Sequence, residues 1–206
     1  MRDAHRQTVR DGYDTIAERY LHERVVGGDM DLLPELVAHL GAGATVLDAG
    51  CGAGVPVMPE LARAGLRAVG LDLSSAQLDL ARSQDSGADL VLADLAELPF
   101  RDGAFAGVVS FYAVIHVPRS DHRAVFAEFR RVLRPGGVAL VCLGAGDVPE
   151  DHDPESWLGA PMFWSHYDAP TNLDLLRDVG LEILRHEIVD DPMSHGRHLF
   201  ALVRRT

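Results

Sequence analysis

The chain has 206 residues, 47% of them hydrophobic, and a formal charge of −12 from 31 acidic residues against 19 basic ones, all arginine. That length provides one well-buried core and leaves too little for two ordinary domains, while an acidic surface without a basic stripe repels phosphate backbones and excludes nucleic acid as a partner. No run reaches the roughly 18 apolar residues of a membrane span, and no basic head precedes an apolar run with a cleavage site, which implies a soluble, cytoplasmic protein with no membrane partner.

Val9, Tyr13, Ile16, Ala17 and Tyr20 recur at three- and four-residue spacings and predict an amphipathic helix from about Asp3 to Arg24. Gly27-Gly28 ends it, and Asp29 can cap a second helix through about Leu40. From Thr45 short β-type runs alternate with helical patterns: Thr45 to Leu47, Ala68 to Leu71, Leu90 to Leu92, Gly107 to Phe111 and Val138 to Val141. Continuous apolar runs separated by helices belong to parallel strands covered on both faces. Between them, Ser74 stands three residues before Gln77 as a capping box for a helix through about Ser83. Ser120 can cap the next helix, whose apolar face is Val125, Phe126, Phe129 and Val132-Leu133, and Pro135-Gly136-Gly137 stops it.

An irregular stretch from Gly144 to Ala169 follows, rich in proline and aromatic residues, and a loop of that length in a small domain is usually functional. A last helix near Thr171 to Val179 ends at Gly180, and the runs 181–184 and 198–203 close the chain as an antiparallel pair. The expected fold class is α/β: a doubly wound, mostly parallel seven-stranded sheet with helices on both faces and an antiparallel C-terminal strand. Cys51 and Cys142 have no metal-type spacing and read as small, reduced, buried residues.

The glycines of Asp48-Ala49-Gly50-Cys51-Gly52-Ala53-Gly54 let the chain turn tightly after the first strand and let a nucleotide approach the backbone beyond the strand ends. A dinucleotide fingerprint would need its third small residue where Val55 stands, ahead of Pro56, so a pyrophosphate site is disfavoured. At the end of the second strand, 18 residues beyond Gly54, Asp72 can accept both ribose hydroxyls or serve as a helix-entry residue.

The run D-A-G-C-G-A-G resembles the first motif of class I S-adenosylmethionine-dependent methyltransferases. Three more runs are similar to that family's motifs in the same order: Gly70-Leu71-Asp72-Leu73-Ser74, Ala93-Asp94-Leu95, and Arg131-Val132-Leu133-Arg134-Pro135-Gly136-Gly137. The resemblance spans about residues 46–143. It implies a Rossmann-like methyltransferase fold that binds S-adenosylmethionine, or its product S-adenosylhomocysteine, and no metal. The cofactor residues it implies are Tyr13, Tyr20, Asp48, Gly50, Gly52, Gly54, Asp72, Leu73, Asp94, Leu95 and Phe111. Asp94 would cap the adenine amino group, and the aromatics of Tyr13-Asp14-x-Ile16-Ala17-x-x-Tyr20 would lid the cofactor; core packing is an equal reading of both tyrosines. One departure is Phe105-Ala106, where family members commonly have Phe-Asp; the missing Asp reads as a structural cap.

On this reading the chain is a single methyltransferase domain, with a helical lid (1–41), a cofactor-binding core (44–143), a substrate-side loop (144–168) and a C-terminal helix and strand pair (169–206). Ser110-Phe111-Tyr112-Ala113 lacks the Asn/Asp-Pro-Pro-aromatic run of amino-methylating DNA enzymes, and neither cysteine follows proline as in cytosine-C5 enzymes. Ser110 also stands where metal-assisted catechol-type enzymes need carboxylates. The resemblance that remains is to the bacterial small-molecule methyltransferase group, with O- or N-methylation of a small-molecule acceptor. Met162 to Tyr167 suits an apolar acceptor with a few polar handles, or pins the loop to the core.

If the acceptor must lose a proton, His116, just past the fourth strand, is the first candidate general base and His166 the second. Their alternatives are a pocket wall and a solvated loop residue. His186, His195 and His198 read as surface or structural. Two rival functions stay open, a non-catalytic S-adenosylmethionine-binding module and a nicotinamide-dependent oxidoreductase, the latter opposed by the loop spacing and by the absence of any lysine for a Tyr-x-x-x-Lys pair. The oligomeric state has no signature in the sequence.

Overall fold

The computed structural model describes residues 2–24, 30–84, 89–151, 153–191, 193 and 196–206. Gly27, Gly28, Asp29 and His195, used above as helix stop, cap and surface histidine, lie outside these residues.

Helix α1 (Arg2–Glu23) and the short α2 (Leu33–Ala38) precede β1 (Thr45–Ala49), α3 (Val57–Arg63), β2 (Arg67–Asp72), α4 (Ser75–Ser83), β3 (Asp89–Leu92) and β4 (Phe105–Ser110). Then come α5 (His122–Val132), β5 (Leu133–Gly144), β6 (Glu155–Trp157), β7 (Ala160–Met162), α6 (Ala169–Asp178), β8 (Leu181–Asp190) and β9 (Arg197–Arg205). Seven strands form one sheet in the order β3-β2-β1-β4-β5-β9-β8. The first five are parallel, and β9 runs antiparallel to both β5 and β8.

Alternation along β5 shows why the fold is doubly wound. Ala139, Val141 and Leu143 face α5 and α6, whereas Val138, Leu140 and Cys142 face α2 and α3. A strand buried on both sides needs apolar residues at every position, which is the run seen in the sequence. Both cysteines are buried thiols. Among the described residues no helix is long and apolar enough to cross a membrane.

Several local expectations change. Ser120 lies in a 3-10 turn (Arg119–Asp121), and α5 starts one residue later than a Ser120 cap would set it, with Asp121 at its N-cap and no side-chain cap bond. Pro135-Gly136-Gly137 does not stop the helix, because Leu133 is already extended and the three residues lie within β5, opposite a register shift between Phe105 and Gly107. Ser74 caps α4, accepting from the Gln77 amide at 3.2 Å, but its own N–H goes to Asp72 rather than back to Gln77. Helix α6 starts at Ala169, capped by Asp168, whose carboxylate accepts from the Thr171 amide at 3.0 Å.

The stretch after β5 is not wholly irregular. Strands β6 and β7 pair as an antiparallel hairpin whose two turn residues, Leu158 and Gly159, both have positive φ, 49° and 90°. Such a turn is ordinarily announced by Asn-Gly or Asp-Gly, so Leu-Gly between three-residue strands left no sequence signal. The hairpin lies against α1, where Gly12 permits the approach: a Cβ there would stand 2.6 Å from the carbonyl oxygen of Pro161.

Candidate active site

Strand order reverses between β1 and β4, and the crevice beyond their carboxyl ends is where an open α/β sheet binds ligands. The chain leaves β1 through Gly50, at φ 85°, where an added Cβ would fall 2.2 Å from Ala113 Cβ. The Gly50 and Cys51 amides donate to the Leu71 carbonyl at 2.7 and 2.9 Å, which locks the turn to the end of β2. There the two oxygens of Asp72 accept from the amides of Gly52 and Ser74, at 2.8 and 2.9 Å. Burial raises the Asp72 pKa, and these amides together with that of Leu73 pull it back. A carboxylate has about four lone-pair sites, so acceptor capacity is left for a ligand.

Gly50, Gly52, Asp72, Leu73, Asp94, Leu95, Phe111, Tyr13 and Tyr20 all line this one pocket. Asp48 and Gly54, also expected among the cofactor residues, are not among those that line it. Gly54 turns the chain at φ 78° over Met58 and Ala81, and Asp48 is buried beneath the loop. Burial, opposed by Arg24 and assisted by Asp72, pushes the Asp48 carboxyl up to about 7. Gln77, on the pocket wall beside Gly52, is buried with neither amide atom paired among the described residues.

Helix α1 closes the pocket from above through three polar side chains. Asp14 accepts from the Ser74 hydroxyl at 2.6 Å and the Ala76 amide at 3.1 Å, taking up an otherwise orphaned N–H at the start of α4. Arg6 pairs with Asp94 at 2.8 Å and reaches Asp121 at 3.3 Å, while Asp94 also accepts from the Ala96 amide at 2.7 Å. Tyr13 meets His116, Oη to Nε2, at 2.9 Å.

A second chamber adjoins the first, and Tyr13, Tyr20, Arg24, Tyr112 and His116 line both. Its remaining wall includes Trp157 of the hairpin, Trp164, His166, Asp191 and His198. The aromatic rings form a belt: Tyr20 against Tyr13 at 5.5 Å between centroids, Tyr13 against His116 at 5.3 Å, His116 against Trp164 at 5.6 Å and Trp164 against Trp157 at 6.0 Å. Most of these pairs meet edge to face, the favoured geometry for rings.

His116 has both ring nitrogens engaged, because Nδ1 lies 2.8 Å from the Phe163 carbonyl and Nε2 faces Tyr13. A carbonyl only accepts, so Nδ1 carries the proton and Nε2 takes the tyrosine O–H. Burial lowers its pKa to about 4. The open base expected at His116 therefore has no open lone pair in this conformation. His166 donates from Nδ1 to the Gly146 carbonyl at 2.8 Å and lines the chamber, its pKa lowered by burial.

His186 is exposed, as expected. His198 is not a surface residue: it is 7% exposed, faces Asp191 at 3.1 Å and lines the chamber. The sequence reading also passed over Arg6, Asp14, Arg24, Gln77 and Tyr112. Of these only Asp14, adjacent to Tyr13 in the N-terminal motif, carried a signal that could have been used.

Residues 46–137 match the family model described as a methyltransferase domain. A malonyl-[acyl-carrier protein] O-methyltransferase of Serratia marcescens is 38% identical over 150 residues, covering 72% of this chain and 56% of that protein. A 24-methylenesterol C-methyltransferase 2 of Oryza sativa subsp. japonica is 35% identical over 128 residues, covering 59% and 32%. The matched stretches span between about a third and just over half the length of these relatives. Among solved structures, the Burkholderia thailandensis 1,6-didemethyltoxoflavin-N1-methyltransferase superimposes with a TM-score of 0.78 at 20% identity, covering 100% of this chain and 91% of that one. That likeness is one of fold.

Proposed function

Because the chain belongs to the class I S-adenosylmethionine-dependent methyltransferases, we propose that it moves the methyl group of S-adenosylmethionine onto an oxygen or nitrogen of a small-molecule acceptor. The observation that carries this reading is the shared wall. Tyr13, Tyr20, Arg24, Tyr112 and His116 border the pocket at the strand ends and the aromatic chamber alike, so a donor on one side and an acceptor on the other meet along them.

The first pocket fits the donor. Gly50 leaves bare a backbone cradle that a Cβ would fill, Asp72 has lone pairs left for two hydroxyls, and the unpaired Gln77 amide waits beside Gly52. Asp94, now paired with Arg6, is the proposed partner of the adenine amino group. When bound, the cofactor supplies an electrophilic methyl group on a sulfonium.

The protein's own part is to align that carbon with the acceptor atom and exclude water. Holding two reactants in register supplies roughly 7–11 kcal/mol. The belt from Tyr20 to Trp157 offers flat, apolar surface to an acceptor ring or chain, and His116, held by Phe163 and Tyr13, is part of that wall.

The relatives named above methylate oxygen and carbon by their descriptions, and the structural neighbour a ring nitrogen. The acceptor atom is therefore assigned from the chamber, whose imidazoles and tyrosines suit an ionisable O–H or N–H.

Two measurements test the reading. A ligand that binds only the native state raises the melting temperature according to its excess over Kd, so S-adenosylhomocysteine stabilises the protein and NADH and NADPH do not. Incubation with methyl-labelled donor and fractionated small-molecule extract then transfers label to at least one fraction. A shift with NADH alone, or no transfer to any fraction, refutes it.

A further inference from the structure

We propose that His198, held by Asp191, is the group that takes the acceptor's proton as the methyl group is transferred; this rests on the methyl-transfer reading above. Three imidazoles line the acceptor chamber, and their hydrogen bonds divide them. His116 has no free lone pair, since Nδ1 donates to Phe163 and Nε2 accepts from Tyr13. The Nε2 of His166 has no hydrogen bond among the described residues, but the group that holds its Nδ1, the Gly146 carbonyl, is neutral.

His198 alone of the three has a carboxylate as its partner, Asp191 Oδ2 at 3.1 Å from Nε2. An ionised carboxylate only accepts, so Nε2 carries the proton and Nδ1 has the lone pair. That Nδ1 is buried and has no hydrogen-bond partner among the described residues. An unpaired buried nitrogen in a ring that lines the chamber and is oriented by a carboxylate is the base-and-orienter arrangement of general-base sites.

Asp191 is itself fixed. Its Oδ1 accepts from the Met193 amide at 2.7 Å, and its own amide donates to the Gly196 carbonyl at 3.0 Å, so the carboxylate cannot turn away from the ring. Tyr112 packs edge to face on the His198 ring at 5.1 Å and sits on the wall shared with the donor pocket, which puts the imidazole one residue from the place where methyl and acceptor meet.

The step balances without another reactant. A lone pair of the acceptor oxygen or nitrogen forms the bond to the methyl carbon, the carbon–sulfur bond breaks with its electrons left on sulfur, and the acceptor's proton passes to His198 Nδ1. The imidazolium so formed lies against the Asp191 carboxylate and later releases its proton to water. His198 is the catalytic residue and Asp191 a positioning residue.

The test has one arm that needs no acceptor. In protein loaded with S-adenosylhomocysteine and labelled with 15N-histidine, the His198 ring at pH 8 carries its proton on Nε2 with Nδ1 bare, and in D191N that tautomer preference is lost. The second arm measures label transferred from methyl-labelled S-adenosylmethionine to whole small-molecule extract. H198A loses about 10²–10⁴-fold in rate, a greater loss than H166A suffers, with S-adenosylhomocysteine affinity within twofold of the parent. A His198 ring protonated on Nδ1, an H198A protein within threefold of the parent rate, or a larger loss in H166A overturns the proposal. A parent protein that binds S-adenosylhomocysteine yet labels no fraction overturns the methyl-transfer reading, and this proposal with it.

Discussion

The two walls of the site are built by different means. The wall of the strand-end pocket, the donor side on the proposed reading, is made of backbone: two glycines at positive φ, amides locked to Leu71, and a carboxylate that ties Gly52 to Ser74. The wall of the aromatic chamber, the acceptor side on the proposed reading, is made of side chains from α1, the β6–β7 hairpin, the segment after β4 and Asp191 with His198, which meet only in the folded molecule. A backbone wall is set by short-range sequence and fails when one residue is wrong. A side-chain wall is set by long-range packing and gives way gradually.

That contrast is open to experiment, beginning where the expected effect is largest. Gly50→Ala forces a side chain onto Ala113 and a non-glycine residue to φ 85°. Overpacking and left-handed strain together cost roughly 2–6 kcal/mol, so urea unfolding shows a large loss of stability and calorimetry shows no S-adenosylhomocysteine binding. A stable, ligand-binding variant would mean that the turn is not rigid.

Asp48→Asn is next, and its effect has the opposite sign. The Asp48 carboxyl is raised to about 7, so its contribution to stability is present below the ordinary carboxylate range and lost as pH rises through about 7. The difference is worth up to about 4 kcal/mol. The Asn variant is therefore expected to melt higher than the parent at pH 8 and at nearly the same temperature at pH 4. His116 and His122, both held neutral by burial with values lowered to about 4, act the other way. Their stabilisation is present above about 6.5 and lost as pH falls through about 4.

Asp72→Ala removes the acceptor of two ribose hydroxyls on the proposed reading. Charge-assisted bonds of this kind are worth about 1.5–3 kcal/mol each, so S-adenosylhomocysteine affinity drops more than tenfold in a folded protein, as calorimetry can check. Unchanged affinity would move the ribose contact elsewhere. The smallest effect belongs to the side-chain wall. Asp14→Ala loses the contacts to Ser74 and Ala76, worth about 1 kcal/mol by analogy with a helix cap. Hydrogen exchange in α1 quickens while the protection of β1 and β4 stays as it was; equal loosening of both would erase the distinction between the walls.

The same contrast explains which parts could be read from sequence. The strands were visible as apolar runs because burial on both faces leaves no polar position, and the donor residues were visible because a turn and its carboxylates occupy fixed offsets from strand ends. The resemblance implied Asp48 and Gly54 as cofactor residues without showing how they sit: Asp48 is buried beneath the loop, and Gly54 turns the chain over Met58. Tyr13 and His116 are 103 residues apart in sequence, and no periodicity relates them. His198 and Asp191 are seven residues apart around a turn, a spacing with no secondary-structure meaning. The β6–β7 hairpin was hidden by its Leu-Gly turn.

The wall common to both cavities also divides the chain by how freely it can vary. Tyr13, Tyr20, Arg24, Tyr112 and His116 each border both cavities, so on the proposed reading a change at any of them disturbs donor and acceptor together. Trp157, Trp164 and His166 border the acceptor alone, on a hairpin and loop that contribute no strand to the main sheet. On the proposed reading, substitutions at Trp157, Trp164 and His166 change acceptor preference before cofactor binding, whereas changes at Pro161 and Phe163, which support α1 and His116, reach the donor side as well.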